Sequence, residues 1–294
     1  MAVNKMDWQK NILLAAILGL LFALAIRWNN YQEQHAPVAV VNPVVESTAS
    51  VSDIPTPVVN TSEVKDAGNA TTLVAPSTDT IKVATDSLLV DINPVGGDII
   101  KVALPRHYAD IDTPDVPFIL IDNNASHTYV AQSGLVGANG TDNDKGRPTF
   151  RAERTQFTLD EGQNQLIVDL VFQQEQVKIT KRFTFTRGQY LVAVEYIIDN
   201  QSANKWSGNF YAQIKRDSKS FTQTNLLAMN PFLGGAIHTT EEKYKKVTFA
   251  DLDKAPVDAT EKGGWVSLVQ HYFISAWIPD AETTNNYKLR KLGD

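Results

Sequence analysis

The chain has 294 residues, of which 43% are hydrophobic and 20% are charged, so it is typical of a globular protein and can hold one large domain or two ordinary ones. A net charge of −6 argues against nucleic acid as a partner, because a phosphate-binding surface normally carries a basic cluster. The absence of cysteine excludes disulfides, thiolate nucleophiles and sulfur-ligated metals, but it does not identify the cellular compartment.

Residues 12–26 form the only long uncharged apolar run of the chain. Such a helix would span about 22 Å, less than the ~30 Å of a bilayer's hydrocarbon core, although flanking tryptophans extend the compatible length. The run is either part of a cleavable signal peptide, with Ala23-Leu24-Ala25 as the cleavage site, or an uncleaved anchor. Both alternatives export the chain that follows, because the preceding lysines hold the N-terminus in the cytoplasm. The side chains expected at the membrane interfaces are Lys5, Trp8, Lys10, Arg27 and Trp28.

The composition changes over residues 36–80, which hold five of the thirteen prolines, six charged residues and no aromatic residue. Without aromatic side chains this segment cannot bury enough surface to offset the entropy of ordering it. We therefore predict a flexible tether, with an r.m.s. span of roughly 35–40 Å.

From Ile81 onward the pattern indicates β-strands. Apolar side chains alternate from Val177 to Thr186, with Lys181 as the single exception. A turn at Arg187-Gly188-Gln189 then leads into a second alternating stretch, Leu191–Ile198, so these two segments predict a hairpin. Residues 166–172 alternate in the same way. We predict an all-β fold of short antiparallel strands packed as a large sandwich.

No constellation of residues indicates catalysis or metal binding. The five histidines lack the spacing of a helical zinc site, and no G-x-S-x-G motif supplies a nucleophile. Asp142, Asp144 and Gly146 resemble part of a calcium loop, but the ladder of carboxylates is incomplete and a solvated hairpin tip is favoured. We predict a binding or scaffolding domain that is not an enzyme and that has no cofactor and no metal.

The most aromatic segment, Lys262–Pro279, has two interpretations. Its aromatic side chains either form a surface that contacts a partner, or they are core residues. We favour the core for all four of them: Trp265, Tyr272, Phe273 and Trp277. The preceding Gly263-Gly264 fits a tight turn.

Several spaced motifs resemble the YidC/Oxa1/Alb3 family of membrane protein insertases, in the form found in Gram-negative bacteria. The segments that carry this resemblance are Met6-Asp7-Trp8-Gln9-Lys10-Asn11, Ala131-Gln132-Ser133-Gly134-Leu135, Asp142-Asn143, Gly146-Arg147-Pro148, Glu161-Gly162-Gln163-Asn164, Lys181-Arg182-Phe183, Arg187-Gly188-Gln189-Tyr190 and the aromatic segment. The motif residues expected to be structural are Gly263, Gly264, Trp265, Tyr272, Trp277 and Pro279.

The resemblance implies a layout for the whole chain. Residues 1–10 would be cytoplasmic, 11–28 an uncleaved transmembrane anchor, 29–80 a periplasmic linker and 81–294 a periplasmic β-supersandwich, incomplete at its C-terminus. The family's five further transmembrane helices have no counterpart here, so no residue of their groove is transferred, and we expect the end at Asp294 to be a truncation.

The resemblance also implies a function at the bacterial inner membrane. The chain would aid insertion and folding of inner-membrane proteins, alone or with the Sec translocon. Its partners would be inner-membrane lipids, nascent membrane proteins and components of the translocon, and its oligomeric state is open. Without the groove, we predict that residues 1–294 do not insert substrates alone.

Two alternatives from other classes remain. A periplasmic carbohydrate-binding or mutarotase-like domain would share the supersandwich fold, but fold analogy is a weak argument for function. An active mutarotase also needs a general acid and a general base in one cleft, and the sequence marks no such pair. A soluble secreted binding module, released by cleavage after Ala25, is the other alternative.

Overall fold

The computed structural model describes Arg27 and residues 80–218, 232–270 and 272–292. Nearly all regular structure in these ranges is β, which confirms the all-β part of the prediction. The strands are β1 (Ile81–Ala84), β2 (Leu89–Asn93), β3 (Asp98–Tyr108), β4 (Pro117–Asp122), β5 (Tyr129–Val136), β6 (Arg151–Ala152), β7 (Gln156–Thr158), β8 (Gln165–Gln174), β9 (Val177–Thr186), β10 (Val192–Asn200), β11 (Asn209–Arg216), β12 (Gly234–Ile237), β13 (Lys245–Thr248), β14 (Val257–Lys262), β15 (Val266–Gln270), β16 (Phe273–Trp277) and β17 (Thr284–Leu289).

The largest sheet has seven strands. Six follow the order β11-β5-β3-β2-β1-β7, and β4 pairs with β3. All its pairings are antiparallel except that of β1 with β7. A shift in register between Asp91 and Ile92 marks an irregularity in the β2–β3 ladder, the kind of feature that increases strand twist.

A four-stranded sheet, in the order β10-β9-β8-β6, packs on the seven-stranded one. The alternation predicted for β8, β9 and β10 is confirmed, because each strand directs every second side chain to the shared core. Val168 and Ile179 have no exposed surface, and Phe183 and Phe185 are each 1% exposed. They lie in one apolar cluster with buried residues of β1, β2 and β3, so the two sheets form a β-sandwich.

Two smaller sheets follow. One has the order β13-β12-β15-β16, and the other pairs β14 with β17. A second, smaller core forms where Ile237, Tyr287 and Leu289 are buried together. The large core of the sandwich also contacts the sheet β13-β12-β15-β16, because Phe273 of β16 packs against it.

Most of the aromatic segment forms a β-hairpin. Residues 266–270 and 273–277 are strands β15 and β16, joined by a two-residue hairpin loop. The described ranges contain one short helix, α1 (Phe249–Leu252), which begins at a capping box between Thr248 and Asp251.

The expected membrane anchor lies outside the described residues, except for Arg27, which is helical and exposed. Within the residues that the structure describes, no helix is both long enough and apolar enough to cross a membrane. The linker expected over residues 29–80 lies, but for its last residue, outside the described ranges as well.

Candidate functional site

The aromatic segment begins at the predicted glycine turn. Gly263 and Gly264 have φ angles of 64° and 82°, a region that favours glycine. A β-carbon on Gly263 would lie 3.0 Å from the carbonyl oxygen of Ala281, so the turn also has little room for a side chain. The Tyr287 hydroxyl donates to the Gly263 carbonyl and fixes the turn on β17.

The two tryptophans of this segment are half-buried and lie in different places. The ring of Trp265 contacts Tyr244 and His238, with ring centroids 5.7 and 6.3 Å apart. The indole Nε1 of Trp277 donates to the carbonyl oxygen of Gln213 at 3.0 Å, which joins β16 to β11. Pro279, also half-buried, follows β16. Trp277 therefore joins two strands, Trp265 packs against residues that flank β12 and β13, and neither tryptophan is fully inside the core.

Tyr272 corrects the expectation that all four aromatic side chains belong to the core. It is 89% exposed and has a φ of 68°, because it lies in the two-residue loop between β15 and β16. A positive φ is unusual for a tyrosine. Such a backbone conformation persists only where the surrounding structure holds it in place.

Next to Tyr272, four rings from four parts of the chain form a contiguous ring cluster: His107, Phe118, Tyr190 and Phe273. Phe273 stacks on Phe118 at 4.1 Å and meets the edge of His107 at 5.5 Å. The imidazole Nε2 of His107 lies 3.0 Å from the Tyr190 hydroxyl. Tyr190 is 47% exposed, so this junction between sheets presents aromatic surface to solvent.

The second site is a buried polar cluster between the sandwich sheets: Asp98, Ser133, Asp142, Arg147 and Lys181. Arg147 is at its centre, where its Nη1 forms an ion pair with Asp98 and its Nε bonds to Asp142 Oδ2 at 2.8 Å. Its Nη2 donates to the carbonyl oxygen of Ser133 at 2.9 Å. The side chains of Asp98 and Asp142 are only 8% and 1% exposed.

Lys181 completes this cluster from β9. It lies between Leu170 and Tyr196 in the register of its sheet, and it is 1% exposed. Its Nζ donates to the carbonyl oxygens of Gly96 at 3.0 Å and Ser133 at 3.2 Å, both in the opposite sheet or its turns. The exception in the alternating pattern of β9 is therefore a polar group on the core face of that strand.

Glycine allows the turn above Lys181 to approach closely. Gly96 and Gly97, which lie between β2 and β3, have φ angles of 75° and 62°, a region that favours glycine. A β-carbon on Gly97 would lie 2.9 Å from Cδ of Lys181, so the lysine stem occupies the space that a side chain would need.

The electrostatics of the cluster depend on burial. Burial lowers the pKa of Lys181 to about 7, and the charge of Arg147 acts in the same direction, while Asp98 and Asp142 oppose it. Burial also tends to lower the pKa of Arg147, but its hydrogen bond to Asp98 and the charge of that carboxylate outweigh it, so the pKa is raised. Burial raises the pKa of Tyr196, whose hydroxyl donates to the same Ser133 oxygen at 2.9 Å.

The solvated hairpin tip predicted around Asp142 is wrong for that residue, although Asp144 is exposed as expected. Asp142 accepts from Arg147 and, at 2.7 Å, from the Tyr211 hydroxyl, so its carboxylate belongs to the core network. In the part of the chain that the structure describes, no three His, Asp or Glu side chains are grouped to hold a metal ion. The chain's lack of a cofactor stays a prediction.

The chain is similar in sequence to a known protein family and to several named proteins. A family model described as the YidC periplasmic domain matches residues 80–294. A protein of Cellvibrio japonicus named membrane protein insertase YidC is 53% identical over 98% of this chain and 53% of its own length. Proteins of the same name from Alcanivorax borkumensis and Saccharophagus degradans are 47% and 42% identical, over 72% and 97% of this chain and 38% and 53% of their own lengths. The chain spans about half the length of the curated relatives it matches, or less.

Proposed function

This chain belongs to the YidC family of membrane protein insertases, and we propose that it supplies the membrane anchor and the periplasmic domain of such an insertase. The observation that carries the proposal is identity of 42–53% along nearly the whole chain to proteins of that name. In this role the chain aids insertion and folding of inner-membrane proteins. Its partners are lipids of the inner membrane, nascent membrane proteins and the Sec translocon.

We propose the same layout for the chain that the sequence motifs imply. Residues 1–10 lie in the cytoplasm, 11–28 cross the inner membrane once, and 29–80 connect the anchor to the periplasmic domain at 81–294. The β-sandwich layers described above are then part of a β-supersandwich. Since the chain contains no cysteine, single cysteines can report this topology without background.

The topology is tested with two variants, Lys5→Cys and Lys145→Cys, and a maleimide that does not cross membranes. In intact spheroplasts we expect labelling of Lys145→Cys, which lies at an exposed hairpin tip, and labelling of Lys5→Cys only after lysis. Labelling of both cysteines in intact spheroplasts, or of neither before lysis, contradicts the proposed single crossing.

The periplasmic domain acts by binding and scaffolding, without turnover of a small molecule. The buried polar cluster supports this role, because its charged groups are engaged with one another and with backbone carbonyls inside the sandwich. The exposed surface at Tyr272 and the ring cluster is where we expect partner contact. Tyrosine and histidine side chains at such a surface offer both apolar area and hydrogen-bonding atoms.

The functional test uses a chimera in which this chain replaces the corresponding half of the Cellvibrio japonicus relative. Cells depleted of their own insertase should grow when they produce the chimera, and should not grow when they produce residues 1–294 alone. The intact relative is the positive control, and the chimera must reach the membrane at the same level. A chimera that is present in the membrane but does not restore growth overturns the proposed function.

A further inference from the structure

We propose that Lys181 is a proton-controlled clasp between the two sheets of the sandwich: the neutral amine fits the closed form, and opening of the sandwich binds a proton. The clasp is independent of the insertase function, since it concerns how the domain itself opens. Three features of the buried polar cluster support it.

The first feature is the match between donors and acceptors at Nζ. A neutral amine has two N–H groups, and Nζ donates to two carbonyl oxygens, those of Gly96 and Ser133. An ammonium carries a third N–H, for which the described contacts provide no acceptor. Oδ1 of Asp98 is itself buried without a hydrogen-bond partner, so this carboxylate oxygen does not accept from the lysine in the closed form.

The second feature is that the Ser133 carbonyl oxygen is already shared. Arg147 and Tyr196 each donate to this oxygen at 2.9 Å, and Lys181 is the third donor, at 3.2 Å. A carbonyl oxygen has two lone pairs, so the bond from Lys181 is the weakest of the three. The contact gives the ammonium little compensation for the loss of water.

The third feature is the set of charges that face Lys181. Asp98 on β3 and Asp142 after β5 favour the ammonium, whereas Arg147 opposes it. The rings of Phe183 and Tyr196 lie 5.4 and 5.5 Å from Nζ and favour the charge weakly. Full burial outweighs these attractions, which is why the pKa falls to about 7 in the closed form.

The consequence is a coupling between opening and pH. Any open form that exposes Lys181 to water returns its pKa towards the ordinary value of 10.5, so opening takes up a proton between about pH 7 and pH 10.5. Acidification towards pH 7 therefore favours the open form. Within this window the equilibrium constant for opening should fall close to tenfold for each unit of rising pH.

Hydrogen exchange of the full 294-residue chain tests the clasp. For backbone amides of β9 that exchange through opening, the intrinsic rate rises about tenfold from about pH 8 to about pH 9, while the opening constant falls by nearly the same factor. We expect their observed rates to stay almost level. In Lys181→Met the rates should rise about tenfold, and in the matched control Lys178→Met, on the solvent face of the same strand, they should stay level.

Wild-type rates that rise about tenfold over this range, as in the methionine variant, overturn the proposal. If Lys181→Met does not fold, the Cε signals of isotope-labelled lysine in the wild-type chain decide, with Lys181→Arg as the variant that assigns them. One lysine that titrates near neutral pH, and whose signal is missing in Lys181→Arg, supports the clasp. Titration of every lysine near its ordinary pKa overturns it.

Discussion

Arg147→Met should destabilise the periplasmic domain severely, because it removes the cation from two buried carboxylates. The side chains of Arg147, Asp98 and Asp142 are 14%, 8% and 1% exposed, so neither carboxylate can turn to water without opening the sandwich. Removing one partner from a buried ion pair typically costs about 3–5 kcal/mol. Asp98 keeps a hydrogen bond from Gln132, which places the expected loss in the lower half of that range.

The matched control is Arg182→Met. Arg182 forms two hydrogen bonds of 2.7 Å with Asp169, but the two side chains are 33% and 38% exposed. Exposed ion pairs contribute only about 0.2–1 kcal/mol, so this variant should lose less than about 1 kcal/mol. Because Arg182 has the better hydrogen-bond geometry, a larger loss of stability for Arg147→Met would reflect burial and not the geometry of its bonds.

Urea unfolding followed by tryptophan fluorescence measures both variants, with the free energy of unfolding extrapolated to water. We expect the loss for Arg147→Met to be at least about threefold larger than that for Arg182→Met. Equal losses, or a larger loss for Arg182→Met, would refute the argument that burial of the cluster determines its contribution. A changed slope against urea would indicate an altered native or denatured state and would require hydrogen exchange instead.

Three further predictions concern single sites. In thermal unfolding, Gly263→Ala should lose more stability than Gly188→Ala. Both positions have positive φ, which costs another residue about 1–2 kcal/mol, but only Gly263 has a backbone atom within 3.0 Å of the new β-carbon. Equal losses of stability would contradict the steric argument. Tyr272→Gly should be more stable than Tyr272→Ala, because both variants lose the same ring but only glycine relieves the positive φ, and equal stability of the two variants in urea would contradict the strain argument. Because the pKa of Lys181 is lowered to about 7, the unfolded chain binds more protons than the folded chain above that pH. From about pH 7 to about pH 9, the stability of the wild type should therefore rise by about 2 kcal/mol more than that of Lys181→Met. Identical pH dependence of stability in the two proteins would exclude the shift.

The strands of the second sheet could be predicted because their determinants are local. Residues of β8, β9 and β10 alternate with a period of two, and a glycine turn separates the last two strands. The same alternation places Lys181 on the core face of β9. A lysine at such a position indicates buried acceptors, and this was the one signal of the polar cluster in the sequence.

The partners of Lys181 could not be predicted in the same way. Ser133 and Gly96 are 48 and 85 positions away along the chain, and they meet the lysine only because two sheets pack face to face. Asp142 follows β5 in a polar stretch that is typical of a solvated turn. Its burial depends on Arg147 and Tyr211, and a single sequence gives no sign of that contact.

The burial of the aromatic segment depends on loop length. Strands β15 and β16 pair from Val266 with Trp277 to Gln270 with Phe273, which leaves two residues for the loop. Tyr272 occupies the second of them and is exposed, while Phe273, one position later, packs on Phe118. Composition alone favours the core for both residues. The pairing register decides between them.

The most direct test of the proposed role is the insertion of a newly made inner-membrane protein in cells that are depleted of their own insertase. After a pulse of labelled amino acid, protease added outside spheroplasts reports how much of the new protein has crossed. With the chimera of this chain and the Cellvibrio japonicus relative, we predict the same protected pattern as with the intact relative. A chimera that is stable in the membrane but leaves the new protein uninserted, as in the depleted cells, would contradict the assignment of this chain to insertase function.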